Sequence, residues 1–354
     1  MSKTPRGIHN LGDLRDYLDA AVQLELSVIP PYMCALYTIH PETNDLCQQI
    51  FRTVIVEEML HLINSANALN AVGGQPILTG DAVPQYPVLL PDGEKSFVVH
   101  LDPFSTAAME TFLKIEYPSR PHGPERRLAA LREERAPTPL KVMRFGHDTV
   151  GAFYEEIIRG IRRVVADLGE KAVFTGDPAK QIDATYYYAG GGEPVAVYCE
   201  ADAVRAIEEI IDQGEGLAHN LFDNDGDLGH YFRFDQIKRG RCYQEGDRPD
   251  HPTGAPLPVD YERVYPMLRD PRLDDFKGEL KRAAEKFNAT YSILLTALQN
   301  AFAGERERLI GAVGVMFDMK YQAIELLKNP IPGTSFHAGP TFQWAPAREE
   351  HVRS

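Results

Sequence analysis

The sequence predicts an all-α protein: a four-helix bundle with a long crossover insertion between its second and third helices, extended by additional C-terminal helices. Three observations carry that prediction. Four stretches repeat apolar residues at i, i+3, i+4 and i+7, each holds an acidic residue on or beside its apolar stripe, and a long non-helical interval separates the second from the third. A bundle whose second and third helices run parallel needs a connection that spans its full length.

The first helical pattern, LRDYLDAAVQLELSVIPPYMCALYTI, puts Leu14, Leu18, Ala21 and Val28 on one face, with Glu25 among them. Asn10 or Asp13 caps its start, and HPETND closes it. Pro30 and Pro31 lack backbone N–H groups, so the carbonyls of Leu26 and Ser27 lose helical partners and the helix should bend there. In the second pattern, FRTVIVEEMLHLINSANAL, Glu58 and His61 share a stripe with Phe51, Val54, Ile55, Leu62, Ser65 and Leu69. A carboxylate and an imidazole buried side by side are costly unless compensated, and a metal ion compensates both. Glu57 falls with Ile50 and Thr53 on another face, exposed or standing behind such a site. Gly73 and Gly74 suit a C-cap, and Pro76 follows.

Within the crossover, QYPVLLPDGEKSFVVHL reads as short extended segments around a Pro-Asp-Gly turn, STAAMETFLKIEYP as a short helix and REERAPTPLK as a surface loop. The third bundle helix, HDTVGAFYEEIIRGIRRVVADL, has Val150, Tyr154, Ile157, Ile158 and Ile161 on its apolar face. Glu155 lies nearer that face than Glu156 and is taken as the third carboxylate. A small hairpin is expected around Gly190 to Gly192, with Tyr186, Tyr187 and Tyr188 packed on the bundle end or closing over it as a lid. The fourth helix, ADAVRAIEEIIDQGEGLAHNLF, turns Val204, Ile207, Ile211 and Glu215 inward; Glu208, one turn from Ile211, is its substitute. Gly214 and Gly216 suggest close backbone approach beside Glu215.

Four inward carboxylates, one within Glu-x-x-His, fit a bundle that holds two metal ions in its core. The template asks for a second imidazole three residues after Glu215, where Ala218 stands. His219, at i+4, and His230, beyond the loop DNDGDLG, are the alternatives, and helix geometry favours His219. That loop is no EF-hand, because its glycine is misplaced and no glutamate follows at the required distance. After the Pro- and Gly-rich linker EGDRPDHPTGAPLPVDY come two more amphipathic helices, with stripes through Phe287, Tyr291, Leu294, Leu295 and Leu298 and through Ile310, Val313, Met316, Met319 and Ile324. These are expected to be core, not a Met-lined cofactor box, packed on the bundle or against a second subunit in a homodimer. The chain thus divides into a metal-binding bundle over 8–245, with its insertion at about 76–145, and a linker with C-terminal helices over 246–345.

Taken together and in order, LELSVIPPYMCALYTI with Glu25, VEEMLHL with Glu58 and His61, VGAFYEEI with Glu155, IIDQGEG with Glu215, HYFRF with His230 and the late AGPTF around Gly339 resemble the ferritin-like family named for iminophenyl-pyruvate dimer synthase. That family includes the ferritin-like region of violacein and indolocarbazole biosynthesis enzymes and stand-alone bacterial relatives. The resemblance covers most of the chain and implies a ferritin-like bundle in which His230, not His219, completes the ligands Glu25, Glu58, His61, Glu155 and Glu215. It does not settle the reaction, since fold kinship leaves chemistry open.

Composition narrows the function. At 354 residues and 44% hydrophobic content the chain can bury a sizeable core, while a net charge of -14 without a large basic cluster excludes a nucleic-acid partner. The opening MSKTPRGIHNLGD has no apolar signal-like core and no stretch is long and apolar enough to span a membrane, which predicts a cytoplasmic protein. The four cysteines lack metal-site spacing. Carboxylate and imidazole ligands suit iron, with manganese as the alternative. The leading expectation is a di-iron oxidase or oxygenase that uses O2 or peroxide on a small, amino-acid-derived molecule of a biosynthetic pathway. A ferroxidase or catalase-like protective protein and a metal-stapled, non-catalytic subunit of a biosynthetic complex are the alternatives.

Overall fold

A computed structural model describes residues 6–92, 95–117, 136–188, 190–215, 221–222 and 226–345. It is predominantly helical, as expected. The bundle consists of α1 (Leu11–Thr38), α2 (Asp45–Ala71), α4 (Val150–Leu168) and α6 (Glu200–Glu215), with α1 against α2 and α4, and α6 against α2 and α4. Asn10 caps α1 by accepting from the Asp13 N–H, and Thr149 caps α4 by accepting from the Ala152 N–H. α1 continues as one helix through Pro30 and Pro31. The Tyr86 hydroxyl donates to the Ser27 carbonyl at 2.6 Å, replacing the helical partner that Pro31 cannot supply.

Between α2 and α4 the crossover forms a hairpin of β1 (Val88–Asp92) and β2 (Lys95–Val99), with Val88 opposite Val99, and then α3 (Thr106–Ile115). A two-residue strand β3 (Thr138–Pro139) joins β1 in parallel. Ser105 caps α3 through the Ala108 N–H. A short α5 (Glu170–Val173) follows α4. The hairpin expected around Gly190 to Gly192 is corrected: among the described residues no strand forms there, and all three glycines take positive φ, which turns the chain without a ladder.

HYFRF opens α7 (His230–Arg239), which packs on α2, α3 and α6. The irregular segment that follows leads to α8 (Gly278–Phe302) and α9 (Arg308–Leu327), a helical pair that leans on α2 and α1 respectively. Of their stripes, Phe287, Tyr291, Leu294, Leu295 and Met319 are buried in the core, as expected. Ile310 is exposed, as are Ile293, Phe317 and Tyr321 on the outer faces, whereas Leu294, Leu298, Met316 and Met319 wall a cavity between this pair and the bundle. Among the described residues no helix is long and apolar enough to cross a membrane.

The α3 and α7 elements are seated by aromatic packing. Phe51 of α2 lies 5.7 Å from Phe104, 6.0 Å from Phe112 of α3 and 5.5 Å from Phe234 of α7, centroid to centroid. Tyr32 of α1 closes the group at 4.8 Å from Phe112 and 5.2 Å from Phe234. The cluster sits one turn from each of two inward acidic or imidazole side chains, Glu116 after Phe112 and His230 before Phe234.

Candidate metal centre

The inward stripes of α1 and α2 bring Glu25, Glu58 and His61 together in the bundle interior, all buried. His61 Nδ1 stands 3.4 Å from Glu58 Oε2 and 3.9 Å from Glu25 Oε2. His230, the first residue of α7, is fully buried, and its ring lies 5.2 Å from that of His61. His230 Nδ1 is 2.9 Å from Glu58 Oε1 and 3.6 Å from Glu116 Oε2. Glu58, His61 and His230 offer ligand atoms all within 4.8 Å of one another. The two oxygens of one carboxylate therefore divide between two imidazoles, with a further carboxylate beside each.

The surroundings decide how those imidazoles are presented. The Gln213 amide nitrogen donates to the Gly191 carbonyl and to Glu209, both at 2.9 Å, which leaves its oxygen to accept from His61 Nε2 at 3.0 Å. His230 Nε2 donates to Glu57 at 2.9 Å, and Arg233 pairs with the other Glu57 oxygen at 3.2 Å. Each ring nitrogen facing away from the centre is thus committed, so each Nδ1 faces the carboxylates, the arrangement that orients histidines around metals. His230 Nδ1, though close to Glu58, has no hydrogen-bond partner among the described residues. An orphaned nitrogen beside several buried carboxylate oxygens fits a cation. Such a cation would be held by Glu25, Glu58, His61, Glu116 and His230.

Protonation in the metal-free protein follows from the same geometry. Burial and the neighbouring Glu58 charge push Glu25 well above the ordinary carboxylate range, and the same two causes raise Glu116. Burial alone would raise Glu58 as well, but contacts with His230 and His61 outweigh it and hold Glu58 low. Burial disfavours charge on His230, yet Glu116, Glu57 and Glu58 around it raise its pKa well above the usual histidine value. The hydroxyls of Tyr154 and Tyr32 donate to Glu25 and Glu116 respectively, and burial keeps both phenols protonated. The raised pKa values of His230, Glu25 and Glu116 make protons compete with a cation for these groups, so affinity for Fe(II) or Mn(II) should fall as pH is lowered. Calorimetric titration in buffers of different ionisation enthalpy should show net proton release; a heat independent of the buffer would refute this protonation pattern.

Of the residues singled out in the sequence, the structure brings Glu25, Glu58, His61 and His230 together. It does not bring Glu155 in: that side chain is 34% exposed and pairs with Arg159 at 3.4 Å, because the phase of α4 turns Tyr154 to the centre instead. Glu156 binds the Ile8 N–H and Arg159. Glu208 faces solvent, 3.6 Å from Arg162. Glu215 ends α6, while its side chain, with His219, His122, Arg126, Arg127, Asp223, Asn224 and Asp225, lies outside the described residues. REERAPTPLK lies partly outside them.

Sequence reasoning missed Glu116, because it sits at the C-cap of a crossover helix, where periodicity no longer sets a phase. Glu57, open to an exposed or supporting reading, is buried against His230. Beside the centre lies a pocket of about 460 Å³, part of it open to solvent, walled by Leu24, Val28, Ile115, Val150, Tyr154 and Ile210 and reaching Glu25, His61 and Glu116.

A ferritin-like family model matches residues 18–239, and the chain belongs to that family. No curated protein sequence matches it. Among solved structures it is similar to a ferritin-like protein from Caulobacter vibrioides at 21% identity, covering 96% of this chain and 100% of that one, with a TM-score of 0.61, a likeness of fold.

Proposed function

From a ferritin-like chain with this buried centre, we propose a di-iron oxidoreductase that uses O2 or peroxide to oxidise a small organic molecule, with manganese as the alternative metal. The observation that supports it most is one buried carboxylate, Glu58, whose two oxygens face two separately oriented imidazoles. In this reading Glu58 would serve both imidazoles, with Glu25 beside His61 and Glu116 beside His230 as the further residues that would hold the metal. Glu116 takes the role expected of Glu155. Glu215 is retained as a further candidate carboxylate at the end of α6, where Ile211 and Gly214 already line the pocket.

When bound, a reduced iron pair supplies the electrons that activate O2. The chain's own part is to hold and shield. Tyr154 and Tyr32 fix one oxygen each of Glu25 and Glu116, Gln213 and Glu57 fix the two rings, and Arg233 holds Glu57 in turn. The apolar walls of the adjoining pocket take the organic molecule and exclude water from the reacting face. A pocket of that kind favours an organic substrate over iron or peroxide turnover alone. The amino-acid-derived class rests on the resemblance to iminophenyl-pyruvate dimer synthase.

The test is anaerobic loading with Fe(II), metal analysis, and stopped-flow spectroscopy on exposure to O2. Two ions per chain and O2-dependent visible absorption are expected, with O2 consumption rising when a turned-over organic amine or imine is supplied. Retention of no ion, or of one redox-silent ion, would end the proposal.

A further inference from the structure

A second cavity lies behind the α1–α2 pair, with about 770 Å³ of space free of protein atoms, part of it open to solvent. It shares no lining residue with the pocket at the metal centre. Helix phase explains the separation: Glu25 and Val28 face the centre, whereas Ile29 and Met33 of α1 and Met59 and Leu62 of α2 face the other way. α8 and α9 form the opposite wall, and none of the described lining residues carries a charge. Tyr188, 85% exposed, stands at the rim. Its neighbours hold the tyrosine segment in place: Tyr187 donates to the Gly190 carbonyl at 2.8 Å, and the Arg306 guanidinium lies 4.6 Å from the Tyr186 ring centre.

One buried hydroxyl on the α8 wall is left unpaired among the described residues. Tyr291 of α8 is 3% exposed, lies on the cavity-facing stripe with Leu294, Leu295 and Leu298, and packs edge-on against Phe342 at 5.1 Å. Its hydroxyl has no hydrogen-bond partner among the described residues. The nearby Tyr86 hydroxyl is already committed to the Ser27 carbonyl. A buried tyrosine hydroxyl normally finds a partner, and an apolar cavity with one unmet donor specifies the ligand that would complete it.

We propose that this cavity is a second ligand site, separate from the metal centre, that takes an uncharged, largely hydrocarbon molecule with one acceptor oxygen, a carbonyl or ether, hydrogen-bonded by the Tyr291 hydroxyl. Charged molecules are excluded because no described wall residue can pair with them. The site requires no metal, so it stands or falls independently of the di-iron reading.

The experiment uses the full chain and two fluorescent probes, the neutral aryl ketone prodan and the acceptor-free hydrocarbon phenanthrene. Prodan emission should shift to the blue and saturate at one probe per chain, with or without metal. Tyr291→Phe should weaken prodan binding about fivefold to tenfold, the worth of one hydrogen bond, and leave phenanthrene binding unchanged. Met316→Trp, on the half-buried far wall, should abolish binding of both by filling the space; Leu298→Trp serves the same purpose should Met316→Trp lose its helical circular dichroism. Absence of saturable prodan binding, or equal prodan affinity in the wild type and the cavity-filled variant, would overturn the site. Unchanged prodan affinity in Tyr291→Phe would overturn the assigned hydrogen bond.

Discussion

Glu58→Ala is expected to abolish stable binding of both metal ions, lowering affinity by more than ~100-fold, since replacing a residue that merely orients a ligand already costs about 10–100-fold. The reason is its position. One oxygen lies 3.4 Å from His61 Nδ1 and the other 2.9 Å from His230 Nδ1, and among the described residues no other side chain is placed against both imidazoles in this way. Removing it also takes away one of the three carboxylates around the buried His230, leaving Glu57 and Glu116, and breaking a buried ion pair costs up to roughly 3–5 kcal/mol. The metal-free variant should therefore melt lower as well. Glu155→Gln is the control, because its side chain pairs with Arg159 at the edge of α4. Equilibrium dialysis followed by elemental analysis reads the outcome: metal content near wild type in Glu58→Ala would remove Glu58 from the proposed ligands, and metal loss in Glu155→Gln would restore the ligand expected from sequence.

Phe51→Ala carries the largest expected loss of stability, about 3–5 kcal/mol, the range for deleting a fully buried phenyl ring. Phe51 is completely buried and touches Phe104, Phe112 and Phe234, which belong to three other segments. The cavity left behind would lie where α3 and α7 meet α2. Those two helices deliver Glu116 and His230, so metal affinity should fall along with stability, although Phe51 touches neither ligand. Urea unfolding of the metal-free protein measures the first effect and calorimetry the second. A loss below about 1 kcal/mol would mean that neighbouring rings close the void and that α3 and α7 are seated by other contacts.

These two expectations also mark how far the sequence could be followed. On α1 and α2 the apolar stripes run for several turns, and their phase is unambiguous; Glu25, Glu58 and His61 follow from it directly. On α4 the stripe is shorter and two acidic residues straddle its edge. A step of one residue turns a helix by about 100°, enough to make Tyr154 the inward group and leave Glu155 paired with Arg159. His230 was reached through family resemblance, because its delivery depends on how α7 docks after an irregular loop.

What the sequence by itself determined is the all-helical bundle, the place of the crossover and the three site residues on its first two helices, since local periodicity encodes which face of a helix is buried. Only the tertiary structure decided that Glu116 of the crossover stands beside His230, that Gln213 and Glu57 hold the two rings, and that the last two helices wall a cavity as well as joining the core. Those outcomes depend on contacts between residues distant along the chain. Packing of whole elements against one another sets them, and no pattern within a single helix contains that information.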